Sequence, residues 1–317
     1  MKKNVFIFSL LFVSSLFLFA KQNQLLVPYK EEAVVLKTAT GEIHGTLTLP
    51  SETGKTPIAL IIAGSGPTDR NGNNMQMQNN SLQLLAEKLA ENKIASLRFD
   101  KRGIGESRGA GFKEEDLRIE HYMDDVRAWI KWIKEQNRFS SLTVVGHSEG
   151  ALIGMVAAGE ADKFISIAGT GLPADEILKQ QLGKQPPYIL EMSNPIIDSL
   201  KKGIPVKEVN PLLNTLFRPS VQPYLISWFK YDPRKEIGKL KIPVLIVQGT
   251  KDIQVSTEDA RLLHKANPKS KLLIIENMNH IFKNVTGNEQ ENLSTYNNKN
   301  LPVNDRLVKE ICSFIPE

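Results

Sequence analysis

Apolar and polar positions switch repeatedly between strand and helix spacing along this chain. AVVLKT (33–38) and EIHGTLTL (42–49) flank a Thr40-Gly41 turn and predict an antiparallel hairpin. PIALIIAG (57–64) is a short continuous apolar run, as expected of a strand covered on both faces. SLQLLAEKLAEN (81–92) carries Leu82, Leu85, Ala86 and Leu89 at helical spacing, and IASLRFD (94–100) reads as a strand. In the next helix Ile119, Tyr122, Met123, Val126, Trp129, Ile130 and Ile133 form one apolar stripe. SLTVVG (141–146) predicts a buried strand, ALIGMVAAGE (151–160) a helix of small residues, and FISIAG (164–169) a further strand. After an interruption come a strand in IPVLIVQG, a helix in TEDARLLHKA, a strand in KLLIIE and a last helix around Leu307 to Phe314. This alternation predicts an α/β fold with a mostly parallel sheet and helices on both faces.

The interruption, residues 171–236, holds nine of the 17 prolines. That density predicts broken, short helical pieces and excludes central strands. An insertion between two parallel strands, at the edge where ligands bind, suggests a helical cap or lid over a site. The expected organisation is therefore a core of residues 33–170 and 237–316 with a cap from 171 to 236.

The first 20 residues, MKKNVFIFSLLFVSSLFLFA, place two lysines before an apolar run that Ala20 closes. They read as a secretory signal peptide, so export to the periplasm or the exterior is expected, with an uncleaved N-terminal anchor as the alternative. The formal charge of +5 falls to +3 without Lys2 and Lys3 and is scattered, which argues against nucleic-acid binding. The single cysteine, Cys312, excludes an internal disulfide and reads as core packing.

Two segments match Gly-x-Ser-x-Gly: GESRG at 105–109 and GHSEG at 146–150. A nucleophile elbow needs a strand that ends, one strained residue and a helix that starts at once. Ser148 has all three, with Gly146 and Gly150 making room. Ser107 follows a strand that ends near Phe99, and Gly109 and Gly111 stand where its helix should begin, so it belongs to a loop.

A serine nucleophile needs a base, and the base needs an orienting carboxylate. Of the five histidines, His44 and His121 precede the nucleophile, His147 adjoins it and cannot turn to serve it, and His264 lies in a helix that covers the sheet. His280, in the loop after KLLIIE, is the expected base. Asp252, just past the Val244–Gln248 strand, is the expected carboxylate, with Glu276 as fallback and Asp259 inside a helix. The backbone N–H of Glu149 is the first expected oxyanion donor. The glycine-rich loop from Ile61 supplies the second, Ser65, with Gly66 its neighbour. That loop lacks a Gly-Lys-Ser/Thr sequence and fits no nucleotide fingerprint. No metal-ligand spacing occurs, so neither cofactor nor metal is expected, and the expected partner is a small-molecule ester.

GHSEG, GTKDIQV, NMNH and DKRGIGES together resemble the esterase and lipase branch of the α/β-hydrolase superfamily. AGSGPTDRNGN resembles more narrowly a group of bacterial carboxylesterases close to serine aminopeptidase-like hydrolases. The resemblance covers nearly all of the chain from about Ala33, with the cap region least informative. It implies an α/β-hydrolase fold with an eight-stranded sheet, a helical cap, and a triad of Ser148, Asp252 and His280 that cleaves carboxylic esters with short acyl groups. It also implies a loop-shaping role for Asp100, Arg102, Gly103 and Gly105. Ala63 and Gly64 depart from the lipase His-Gly-Gly-Gly motif, which argues against tertiary-alcohol and true lipase substrates. A peptidase with the same triad and a non-catalytic binding protein of the same fold are the competing expectations.

Overall fold

The computed structural model describes residues 29–316 except 53 and 112; the leader expected at 1–20 lies outside the described residues. The hairpin extends beyond its apolar centre: β1 (Tyr29–Thr38) and β2 (Gly41–Pro50) pair antiparallel from Tyr29 opposite Pro50 to Thr38 opposite Gly41. Six further strands follow: β3 (Thr56–Ile62), β4 (Ala95–Phe99), β5 (Phe139–His147), β6 (Lys163–Ile167), β7 (Val244–Gly249) and β8 (Lys271–Ile275). Together they make one 8-stranded sheet of order β1-β2-β4-β3-β5-β6-β7-β8. β2 meets β4 antiparallel, and every other pairing beyond the hairpin is parallel.

Eleven α-helices lie among the described residues: α1 (Ser81–Glu91), α2 (Ile119–Glu135), α3 (Glu149–Ala157), α4 (Ala174–Leu182), α5 (Pro187–Lys201), α6 (Asn214–Phe217), α7 (Gln222–Trp228), α8 (Pro233–Lys239), α9 (Thr257–Ala266), α10 (Glu289–Thr295) and α11 (Asp305–Phe314). Strand side chains alternate between faces, so a strand buried on both sides feeds two cores. β3 sends Ile58, Leu60 and Ile62 to the core shared with α2, α3 and α9. It sends Ala59 and Ile61, followed by Ala63 just past its end, to the core shared with α1 and α11. Cys312 packs half-buried against the second of these cores, and burial pushes its thiol up to about 11.

The insertion between β6 and β7 corrects the expectation drawn from its prolines. Pro187, Pro223 and Pro233 stand in first turns, where the missing N–H costs nothing, so they start helices. α5 also runs for 15 residues through Pro195. Because β3, β5, β6, β7 and β8 are parallel, the loops that leave them open on one edge of the sheet, the edge where open α/β sheets bind ligands.

Candidate active site

Ser148 stands between β5 and α3 with φ 55° and ψ −121°, a left-handed backbone that is costly for a residue with a side chain. Its neighbours leave no room for anything but glycine. A Cβ at Gly146 would lie 2.3 Å from Gly150 O, and one at Gly150 would lie 2.4 Å from Ile62 O. Ser148 N–H donates to Ile167 O at 3.0 Å, which ties the turn to the end of β6. The other Gly-x-Ser-x-Gly serine is structural. Ser107 is fully buried in a 3-10 turn, and its Oγ accepts the His44 N–H at 2.9 Å.

Asp252 and His280 meet at the ends of β7 and β8. His280 Nδ1 lies 2.8 Å from Asp252 Oδ2, and both side chains are buried. Asp252 Oδ1 also accepts the N–H groups of Gln254 (2.8 Å) and Val255 (2.9 Å), and Oδ2 accepts Gln248 Nε2 at 2.9 Å. Burial alone would raise this carboxyl. The positive field of His280, its hydrogen bond and the two backbone donors outweigh that, and the net shift is downward. An ionised carboxylate only accepts, so Nδ1 carries the proton and Nε2 is left as the basic nitrogen. Glu276, the fallback, is exposed. Asp259 caps α9 through Ser256 and accepts the Gly171 N–H at 2.9 Å.

Ser148 sits one residue beyond His147, whose ring lies 4.8 Å from that of His280. Among the described residues no hydrogen bond joins Ser148 Oγ to His280. The other histidines are engaged elsewhere. His121 Nδ1 accepts the Arg118 N–H at 3.2 Å, His264 Nδ1 pairs with Ser270 Oγ at 2.9 Å, and His44 faces Glu42 at 4.0 Å.

A strained serine on a strand-turn-helix, beside a buried Asp-His pair on the same sheet edge, recurs in one group of folds. Residues 75–214 match the family described as serine aminopeptidase, S33. Esterase EstD of Thermotoga maritima is 27% identical over 283 residues, 86% of this chain and 65% of that protein. The chain thus spans about two thirds of the length of that relative. Est1E from Butyrivibrio proteoclasticus, solved with ferulic acid bound, aligns over 90% of this chain and 99% of its own at TM-score 0.60 and 20% identity. The Pyrococcus furiosus esterase Pf2001 aligns over 92% of this chain and 93% of its own at TM-score 0.55 and 14% identity.

The chain has the α/β-hydrolase fold.

Of the two expected oxyanion donors, one follows Ser148 in the chain and the other belongs to the loop whose Gly64 approaches it. Glu149 N–H is the first of α3, a donor that no intrahelical carbonyl can reach. Across the turn, a Cβ at Gly64 would lie 3.2 Å from Ser148 Cβ, and Ser65 beyond it is exposed.

Three supports were missed in the sequence. His147 Nε2 lies 2.9 Å from the His280 carbonyl, and Phe282 packs edge-on against the His147 ring. Asn279 is buried, and its Nδ2 donates to Asn292 Oδ1 (2.9 Å) and Thr295 Oγ1 (2.8 Å) while Oδ1 accepts the Lys283 N–H (2.9 Å). These bonds fold the loop that carries His280. Lys101 and Glu149 form a salt bridge at 3.0 Å with both side chains buried. A polar residue inside a motif read for its serine gave no sign of this pairing. The loop-shaping residues do make loop contacts. Asp100 accepts the N–H groups of Arg70 and Glu106, and Arg102 Nε donates to Asp125 Oδ2 at 2.8 Å.

Proposed function

We propose that this chain hydrolyses carboxylic esters of small alcohols and short acyl groups through an acyl-enzyme on Ser148. The observation that carries the reading is the buried Asp252–His280 pair, whose free Nε2 belongs to the loop pinned against the residue next to Ser148. Esterase names among the relatives support it. So does the resemblance to bacterial carboxylesterases.

In this reading His280 Nε2 takes the Ser148 hydroxyl proton as Oγ bonds the ester carbonyl carbon. The carbonyl electrons move to oxygen, and the N–H groups of Ser65 and Glu149 hold that charge. Collapse expels the alcohol, which takes the proton from Nε2. Water then repeats the sequence on the acyl-enzyme and releases the acid. Asp252 stays ionised and steadies the imidazolium. The open Ser148–His280 contact is expected to close once substrate is present, as contacts of this kind tighten in complexes.

Ser148→Ala should lower kcat/KM for p-nitrophenyl butyrate by about 10⁴-fold or more. Unchanged turnover in that variant overturns the reading. The serine aminopeptidase match favours a second reading, peptide-bond cleavage with the same groups. Two carboxylates of the insertion that could hold a peptide ammonium are already paired, Asp175 with Lys201 and Asp198 with Lys179. Matched ester and aminoacyl-anilide substrates separate the two, and we expect the ester to be preferred. Export through the leader is part of the same proposal; N-terminal sequencing of the protein from culture fractions tests it.

A further inference from the structure

Behind the turn that holds Ser148 lies an ion pair that the proposed chemistry does not use. Lys101 is 1% exposed. Its Nζ donates to Gly64 O at 2.6 Å and to Glu149 Oε2 at 3.0 Å, and the Tyr122 ring faces it at 5.0 Å. The other carboxylate oxygen, Glu149 Oε1, accepts the Tyr224 hydroxyl at 2.5 Å. Tyr224 comes from α7 of the insertion and packs against Tyr122 with ring centres 5.8 Å apart. Five separate segments therefore meet at one buried charge pair: the loop after β3, the loop after β4, α2, the first residue of α3, and α7 of the insertion.

Such a pair is a poor source of stability, because removing two charges from water costs about as much as their attraction returns. Its geometry is more telling. In a planar trans peptide the C=O and the N–H point in opposite directions. Gly64 C=O and Ser65 N–H belong to one peptide unit. Holding the carbonyl on Lys101 therefore turns the Ser65 N–H away from Lys101, on the segment that touches Ser148. Glu149 owns the other expected donor, and its side chain is the anchor for both Lys101 and Tyr224.

We propose that Lys101, Glu149 and Tyr224 form a brace that positions both oxyanion donors and links their aim to the seating of the β6–β7 insertion. Lys101 and Tyr224 are positioning residues, acting through the Gly64–Ser65 peptide and through Glu149. The proposal rests on the serine-ester reading above. It adds that the insertion does more than cover the site, since its Tyr224 hydroxyl completes the brace.

The test uses the full chain with p-nitrophenyl butyrate, counting reactive serines with a fluorophosphonate probe so that kcat refers to folded protein. Lys101→Met alone strands a buried carboxylate and risks misfolding. The informative variants are therefore Tyr224→Phe and the double variant Lys101→Met with Glu149→Gln. In the double variant the new amide oxygen can still accept from Tyr224. Loss of one aimed oxyanion donor costs about 10²-fold in kcat. The double variant should fall by about that factor with KM within about two-fold. Tyr224→Phe should fall by about ten-fold, the effect of one hydrogen bond to a charged group. Wild-type kcat per labelled serine in both variants overturns the brace, whatever happens to the melting temperature. A rise in KM with kcat kept also overturns it, because that marks substrate binding. Ser148→Ala run alongside keeps the readings apart: turnover surviving there sinks the ester mechanism itself, whereas an inactive Ser148→Ala beside fully active brace variants sinks only the brace.

Discussion

The His147 imidazole lies with Nε2 2.9 Å from the backbone carbonyl of His280. A carbonyl only accepts, so Nε2 carries the proton and donates it. Burial, then the charge of His280, push the His147 pKa down to about 3, so the ring is neutral at pH values well above that. The residue before the proposed nucleophile thus pins the main chain of the proposed base. His147→Phe keeps an aromatic ring and removes that bond. It should lower kcat/KM by about ten-fold, the scale of one buried hydrogen bond. The acid limb of the pH–rate profile should not move, because His147 does not titrate there. A shifted limb would show that His147 is itself the titrating group.

Asp252→Asn should preserve the fold and reduce kcat by about 10³–10⁴-fold, because the amide no longer selects the tautomer with a free Nε2. Glu276→Gln should stay within about two-fold of wild type, since Glu276 is exposed at the end of β8. The reverse ranking would assign the carboxylate role to Glu276.

Lys283 is fully buried, and among the described residues its ammonium donates to one carbonyl, Leu301 O. Burial lowers its pKa from 10.5 to about 8. Below pH 8 the proton is bound in folded and unfolded chains alike, and the folded chain bears the full cost of a buried charge. Between about 8 and 10.5 the unfolded chain binds more protons, so this cost is relieved as pH rises. Lys283→Met should be more stable than wild type at pH 7 by about 1–3 kcal/mol. The advantage should shrink as pH climbs to 10. Urea midpoints at pH 7 and pH 10 measure it, and a constant difference would contradict the assignment.

Acid should weaken the same region from two directions. His147, held near 3 against 6.5 unfolded, contributes a loss of stability as pH falls below 6.5. Asp252, with its carboxyl held low, contributes stability that disappears as pH falls through its folded pKa. His147→Phe should therefore flatten the decline in melting temperature between pH 6.5 and 4 by several degrees, roughly 2–4 °C per kcal/mol removed. An equal decline in both proteins would rule out His147 as its source.

Gly150→Ala should be severely damaging, costing about 3 kcal/mol or more. Its Cβ would meet the backbone oxygens of Ile62 at 2.4 Å and Ala63 at 2.7 Å, neither of which can swing aside. Gly154→Ala meets the Phe164 ring edge at 2.6 Å and should cost less, because a side chain can turn. Urea midpoints of the two variants rank them.

Much of this molecule could be read in order along the chain. Spacing alone distinguished strands from helices, because a strand buried on both faces must be apolar throughout and a covering helix must be striped. It also separated Ser148 from Ser107, since only the former has a strand ending and a helix beginning beside it. Asp252 and His280 are read from their places just past strand ends together with the chain order of serine, acid and base usual in this kind of fold. The prolines of the insertion misled, because a helix-starting proline and a helix-breaking one are the same letter until the first turn is known.

What local pattern could not supply is which polar side chains meet when distant segments are folded together. Lys101 and Glu149 are 48 positions apart, and Tyr224 is a further 75 beyond Glu149. His147 reaches across 133 positions to the His280 carbonyl. Apolar burial is non-directional and repeats with the element, so it leaves a periodic trace in the chain. A hydrogen bond or an ion pair depends on distance and angle between two particular atoms, and it leaves no such trace.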